Sequence, residues 1–284
     1  MNKPEQEQID YWLEASNDGI RRKQKLADEG FYQQKNISIQ SIYTAVALDY
    51  AGLGRAKCLN NDPLPTVRHE FNTAAKCIKK SFTMAYDKND PDYVGDKQVP
   101  GKATRSQWGY VSWSDVNELD GIDGFNFSLM AANFDTAQKL AGLFQDRKDG
   151  KTKPPCINRY VHALKHALLH EKEQGLALLT LTLEDFAAKP PNRGYKANYF
   201  NLSQTLYGVL SNDEVLFNQG LEQVLTFYKK SRIPADDLWN TDYEFICDDA
   251  VALANLGLSY NLKVTIEHEL LPKRLLINSS SGMQ

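Results

Sequence analysis

A chain of 284 residues is long enough to bury a substantial core, and residues 1–284 read as a single domain. Its 42% hydrophobic and 24% charged residues match ordinary globular usage, which excludes a disordered or collagen-like chain. With 36 acids against 33 bases the net charge is −3, which argues against a whole-protein affinity for nucleic acid or for an anionic membrane.

The opening residues, MNKPEQEQIDYWLEASNDG, carry charge and amide groups throughout, where a secretory signal needs an apolar stretch of roughly 7–15 residues. The longest apolar-leaning runs, Leu176 to Leu179 and Val251 to Leu258, fall far short of the roughly 20 residues of a membrane helix. A cytoplasmic location is expected. Cys58, Cys77, Cys156 and Cys247 form no C-x-x-C pair, so buried free thiols are the expectation for all four.

Helical signals dominate. Ile42, Ala45, Val46, Leu48 and Leu53 predict a helix over roughly 38–58. Asp62-Pro63 reads as an N-cap followed by proline at the first helical position, ahead of Val67, Phe71, Ala74, Ala75, Ile78, Phe82 and Ala85. The Pro-, Gly-, Asp- and Lys-rich stretch from Asp87 to Trp113 reads as a long surface loop. Asn133 precedes Ala137, Leu140, Ala141 and Phe144 at helical spacing, and Asp146–Pro155 and Lys189–Gly194 are breaks. Ser211-Asn-Asp-Glu214 and Thr241-Asp-Tyr-Glu244 both match the S/T-x-x-E capping box. The first introduces Val215, Leu216, Leu221, Val224, Leu225 and Tyr228; the second introduces a helix from Phe245 that closes near Gly257. Leu262 to Glu267 alternates and is β-branched, which predicts a short strand. The expected fold is all-α, a single assembly of about eight to ten helices with this short β element near the C-terminus.

Motifs for catalysis are missing. The sequence has no G-x-S-x-G, and Gly52-Leu-Gly54 stops short of a phosphate-binding G-x-G-x-x-G. The acidic run Asp87 to Asp96 fails the spacing of a calcium loop. His162, His166 and His170 share one helical stripe, but the first and third lie about 12 Å apart on a straight helix, too far to surround one ion. A polar helix face is the plain reading of the stripe; a metal-dependent enzyme with Glu171 or Glu173 nearby is the alternative. No catalytic residue, metal or cofactor is expected.

Charge distribution is more informative. From Ser106 to Gln138 no lysine or arginine occurs, while Asp115, Glu118, Asp120, Asp123 and Asp135 do. From Pro234 to Tyr260 basic residues are again missing, against Asp236, Asp237, Asp242, Glu244, Asp248 and Asp249. Trp108, Tyr110, Trp113, Phe125 and Phe127 are interleaved in the first window, and Trp239, Tyr243 and Phe245 in the second. Aromatic anchors among carboxylates suit a surface for a basic protein partner, and the partner-binding candidates are Asp115, Glu118, Asp120, Asp123, Asp236, Asp237, Trp239, Asp242, Tyr243 and Glu244. The plain alternative makes the acids helix caps and the aromatics core.

The C-terminal segment Tyr243-Glu-Phe-Ile-Cys-Asp-Asp-Ala-Val-Ala-Leu-Ala-Asn-Leu-Gly-Leu, followed by Leu270-Leu-Pro-Lys-Arg-Leu-Leu-Ile277, resembles the ending of the immunity protein 49 family. The likeness covers roughly the last 40 residues. It implies a cytoplasmic helical protein that accompanies bacterial polymorphic toxins. Such a protein inhibits by binding a cognate toxin stoichiometrically, the toxin being delivered by a type VI or contact-dependent route. The implied partner is a toxin with a basic surface, with no direct contact to nucleic acid or membrane; exposed aromatics would also suit a homodimer. A helical adaptor or scaffold for another protein partner shares the same composition and compartment.

Overall fold

The computed structural model describes residues 4–35, 37–93, 104–106, 109–111, 116–146, 150–231 and 241–277. Among them are α1 (Gln6–Asp28), α2 (Phe31–Lys35), α3 (Ile39–Leu59), α4 (Leu64–Tyr86), α5 (Glu118–Met130) and α6 (Phe134–Leu143). The chain continues through α7 (Pro155–Leu168), α8 (Lys172–Asp185), α9 (Gly194–Ser211), α10 (Glu214–Ser231) and α11 (Asp248–Ser259). Ten of these run for ten residues or more; α2 is a five-residue piece. The all-α expectation is met. Within the stretch read as a long loop, β1 (Thr104–Ser106) and β2 (Gly109–Val111) pair antiparallel, with Arg105 opposite Tyr110.

Neighbours in sequence are mostly neighbours in space. α1 lies on α3, α3 on α4, α4 on α5, α7 on α8, α8 on α9 and α9 on α10. Short connections force such consecutive helices to fold back on one another. The non-sequential contact that closes the core is α11 against α5. At the α9–α10 crossing a Cβ on Gly208 would stand 2.5 Å from the backbone nitrogen of Phe217, so only glycine permits this approach. Phe217 itself is fully buried between α9, α10 and the Gly257 surface of α11.

Long-range contacts override several local signals. Helix α4 is capped by Pro63, one residue after the expected Asp62. At the α9–α10 joint, Ser211 Oγ donates back to Tyr207 O, Asn212 takes the left-handed conformation (φ 59°), and Asp213 is the acceptor for Leu216 N. Residues 241–244 form a 3-10 turn, and α11 starts only at Asp248, because Cys247 N donates to Leu270 O and draws the chain onto the C-terminal segment. Asn133 does cap α6, accepting from Thr136 N at 3.0 Å.

The expected strand at Leu262–Glu267 is extended but unpaired with any strand among the described residues. Side chains of α10 satisfy its backbone instead. Asn218 Nδ2 donates to Lys263 O, Asn218 Oδ1 accepts from Thr265 N, and Glu214 Oε2 accepts from Lys263 N. The alternation is real, since Leu262 is buried and Val264 and Ile266 pack on the core. Beyond it, fully buried Asn255 donates to Leu129 O and Leu275 O and accepts from Ile277 N, locking the last turn to α5 and α11.

Candidate functional site

The largest fully buried side chain among the described residues is a cation, Arg55. Helix α3 turns a stripe of Ala47, Ala51, Arg55 and Cys58 inward, while Leu48 is 38% exposed. Small residues on this face leave room for a guanidinium. Arg55 Nε donates to Asp242 Oδ2 at 2.5 Å and Nη1 to Asp248 Oδ2 at 2.6 Å. The ring of Tyr243 covers the guanidinium carbon, 3.6 Å from its centroid. Gly52, one turn before Arg55, eases the approach of α1: a Cβ there would stand a tight 3.0 Å from Ser16 Oγ, while Asp242 Oδ2 would be in ordinary contact at 3.4 Å. Burial works against the charge of Arg55, but Asp248, Tyr243 and Asp242 outweigh it and hold the guanidinium firmly protonated.

More acids surround this pair. Helix α5 contributes Asp120 and Asp123 one turn apart, and the first turn of α11 contributes Asp248 and Asp249. Asn126 of α5 donates through Nδ2 to Asp249 Oδ1 at 2.7 Å. Burial pushes the Asp123 carboxyl up to about 8, with Asp120, Asp249 and Asp248 adding to the rise and Arg55 opposing it. Asp248 is raised to about 6 by burial, against the pull of Arg55, and Asp249 is raised by burial against its bond from Asn126. Burial also raises the phenols of Tyr160 and Tyr199, with the charge of Asp249 adding to both.

The cluster is deep and partly open. Asp248 is hemmed in on every side, yet 13% of its side chain stays accessible, and Asp242 keeps 16%. Asp123 and Asp249 are likewise partly accessible. The cluster is therefore a largely buried acidic junction between α3, α5, α11 and the 241–244 turn, with residual access at its edge. Four buried polar atoms here have no hydrogen-bond partner: Arg55 Nη2, Asp248 Oδ1, Asn126 Oδ1 and Tyr160 OH. Native interiors leave few such atoms, because each costs about 1–3 kcal/mol unmet. Chemically the cluster holds one guanidinium between two carboxylates under an aromatic ring, with further carboxyls beside it that burial pushes toward the protonated form.

Of the expected partner-binding residues, the structure brings Asp120, Asp123, Asp242 and Tyr243 to this cluster. Glu118 and Asp120 are buried, at 4% and 8% exposure. Glu118 Oε1 accepts from Lys153 N and Asn158 Nδ2, tying α5 to the entry of α7. Asp120 Oδ2 accepts from Asn117 N and Nδ2 in a capping box, and its Oδ1 accepts from Thr44 Oγ1. Phe125 and Phe127 are core, as the plain alternative has it. Glu244 is partly buried in the 3-10 turn. Asp115, Asp236, Asp237 and Trp239 lie outside the described residues.

Sequence reasoning missed Arg55 and Asn126 and left Asp248 and Asp249 out of the site. The i, i+4, i+8 spacing Ala47, Ala51, Arg55 is the signal that places the arginine on a buried face.

The histidine stripe does not converge. His162 Nε2 meets Asp146 Oδ1 at 2.8 Å, and His166 Nδ1 meets Glu171 Oε2 at 2.6 Å. His170 lies past the end of α7 with φ 60°, and its ring faces Tyr260. No group of three or more His, Cys, Asp or Glu side chains placed to hold a metal ion occurs among the described residues. The acidic run after α4 is organised around a lysine: Lys80 Nζ reaches Asp90 at 2.9 and 2.8 Å and Asp92 at 3.2 Å. All four cysteines are free; Cys58, Cys156 and Cys247 are buried and Cys77 partly so.

Comparison of the chain with family models, with curated proteins and with solved structures returns no match.

Proposed function

We propose that the protein is an antidote that binds and neutralises a cognate secreted toxin acting in the cytoplasm, one delivered by a type VI or contact-dependent route. One observation carries this reading. The segment on which the resemblance to the immunity protein 49 family rests supplies Tyr243, Asp248 and Asp249 to the acidic cluster, and the same segment closes the core through Asn255 and Leu270. A stoichiometric inhibitor needs a preformed, rigid recognition surface rather than reactive groups, because affinity rests on limiting the ordering cost of association. Acid concentrated in one cluster attracts a basic partner and speeds its encounter. No described helix is long and apolar enough to cross a membrane, which suits an inhibitor that works beside its target.

The test is capture on the tagged protein from a lysate of its own cells, washed at low and at high salt. One large secreted toxin or its C-terminal fragment, recovered at near-equal stoichiometry and weakened by salt, is the expected result. Co-expression should then restore growth to cells making that toxin. Several housekeeping proteins in place of one toxin would favour an adaptor and overturn the antidote.

A further inference from the structure

A cavity of about 450 Å³ opens between the start of α1, the end of α3 and the C-terminal segment 269–274. That volume falls within the roughly 300–1,000 Å³ of small-molecule sites. Two hydrophobic clusters meet in its walls. Ile9 belongs to the small cluster that includes Trp12, Leu59 and Phe245 pack against that cluster, and Leu270 belongs to the main core. One polar wall is Arg274, in the 3-10 turn Lys273–Leu275.

Arg274 differs from Arg55 in what it meets. Among the described residues it has no carboxylate partner, only neutral oxygens. Nη1 donates to Cys58 O at 3.1 Å and to Asn61 Oδ1 at 3.4 Å, and Nη2 donates to Asp62 O. A guanidinium has five N–H donors, so Nε–H and one Nη2–H stay unspent. Nε, unlike that of Arg68, is not sealed from solvent. The acid on the wall, Glu269, pairs with Lys229 Nζ at 2.9 Å. Cys58 adds no negative charge, because burial pushes its thiol up to about 11 against the pull of Arg274. The uncompensated charge of the cavity is therefore positive.

We propose that this cavity binds a small free carboxylic acid with an apolar body, its carboxylate held by Nε and Nη2 of Arg274 and its body lying against Ile9, Leu59, Phe245 and Leu270. The site stands apart from the antidote reading and does not depend on it. Two neighbouring donors of one guanidinium match the two oxygens of a carboxylate in a bidentate pair, stronger than bonds to neutral carbonyls. A phosphate would bring further charged oxygens, and no second cation lines the cavity among the described residues. The main chain around it is already engaged: Leu270 N donates to His268 Nδ1, Leu270 O accepts from Cys247 N, and Cys58 O accepts from Arg274. The amides of a peptide would find few partners here, so a free acid fits better than the end of a polypeptide.

The probe is 3-phenylpropionate, titrated into the protein and followed by NMR. Its primary amide, 3-phenylpropanamide, keeps the body without the charge, and acetate keeps the charge without the body. Saturable shifts confined to Ile9, Leu59, Phe245, Leu270 and the Arg274 side chain are expected for the acid, with the amide about tenfold weaker and acetate not saturating. Arg274→Gln should weaken the acid by about tenfold and leave the amide unchanged. Should that variant fail to fold, the comparison of acid with amide on the unaltered protein decides. No saturable shifts with the acid overturn the site. Equal binding of acid and amide, or undiminished binding of the acid by folded Arg274→Gln protein, overturns recognition of the carboxylate. Tighter binding of acetyl-Gly-Gly-Phe with a free C-terminus than of the acid overturns the free acid in favour of a chain end.

Discussion

Just beyond α4, Asp90 and Asp92 close around the ammonium of Lys80, with two of the three contacts under 3.0 Å and the lysine 30% exposed. At the α5–α11 junction, Asp242 and Asp248 pair with one arginine that is fully buried, and Asp123 and Asp249 stand beside them without an ion pair among the described residues. Both clusters are acidic in sequence. In the first, the chain supplies a cation of its own near solvent, and bonds from Asp90 and Asp92 overcome burial to raise the lysine above its ordinary value. In the second the chain supplies too little charge, and the shortfall appears as carboxyls that keep their protons. What separates the two clusters is therefore the balance of charge in the folded molecule, which acid content alone does not reveal.

The contrast can be broken most directly at Arg55. Arg55→Met leaves Asp242 and Asp248 buried without a cation and should cost about 3–5 kcal/mol in urea unfolding. A loss under about 1 kcal/mol would mean that the aspartates simply take up protons and need no partner. The second effect concerns pH. The folded-state value of Asp123, about 8, lies above its ordinary 3.8. The folded protein therefore holds a proton that the unfolded chain releases, so the stability it contributes is full below about 4 and is lost as pH rises through about 8. Asp248 adds a similar loss that ends near 6. Tm should fall between pH 5 and pH 8.5, and Asp123→Asn should flatten that decline while adding about 1–3 kcal/mol at pH 8.5. A wild-type Tm that rises over this range would contradict the raised carboxyls. The smallest effect belongs to the compensated cluster: Lys80→Met should cost about 1 kcal/mol or less, because Asp90 and Asp92 can turn to solvent. A loss as large as that of Arg55→Met would erase the distinction between the two regions.

Much of the fold could be read from the sequence, and the reasons for the misses are specific. The helices over α3, α4, α6 and α10 follow from apolar spacing, and the Asn133 cap from its side chain, because both are local properties. The box at Thr241–Glu244 failed because Tyr228 OH donates to Tyr243 O and Cys247 N bonds Leu270, two partners that no window around residue 241 contains. The extended piece at 262–267 has strand chemistry, but side chains of α10 took the place of a neighbouring strand. The site was half legible. Windows free of lysine and arginine located Asp120, Asp123, Asp242, Asp248 and Asp249, all of which meet in the fold. They did not reveal that the cation joining them comes from Arg55, 187 residues before Asp242. Nor did they distinguish an acid that faces solvent from one, such as Glu118, that fastens two helices together.

The central claim is that Asp123 lies in a buried cluster short of positive charge. Its carboxyl carbon can be followed by NMR as pH is changed. The account predicts a midpoint near 8. A midpoint near the ordinary 3.8 would show that the cluster is already compensated and would contradict it.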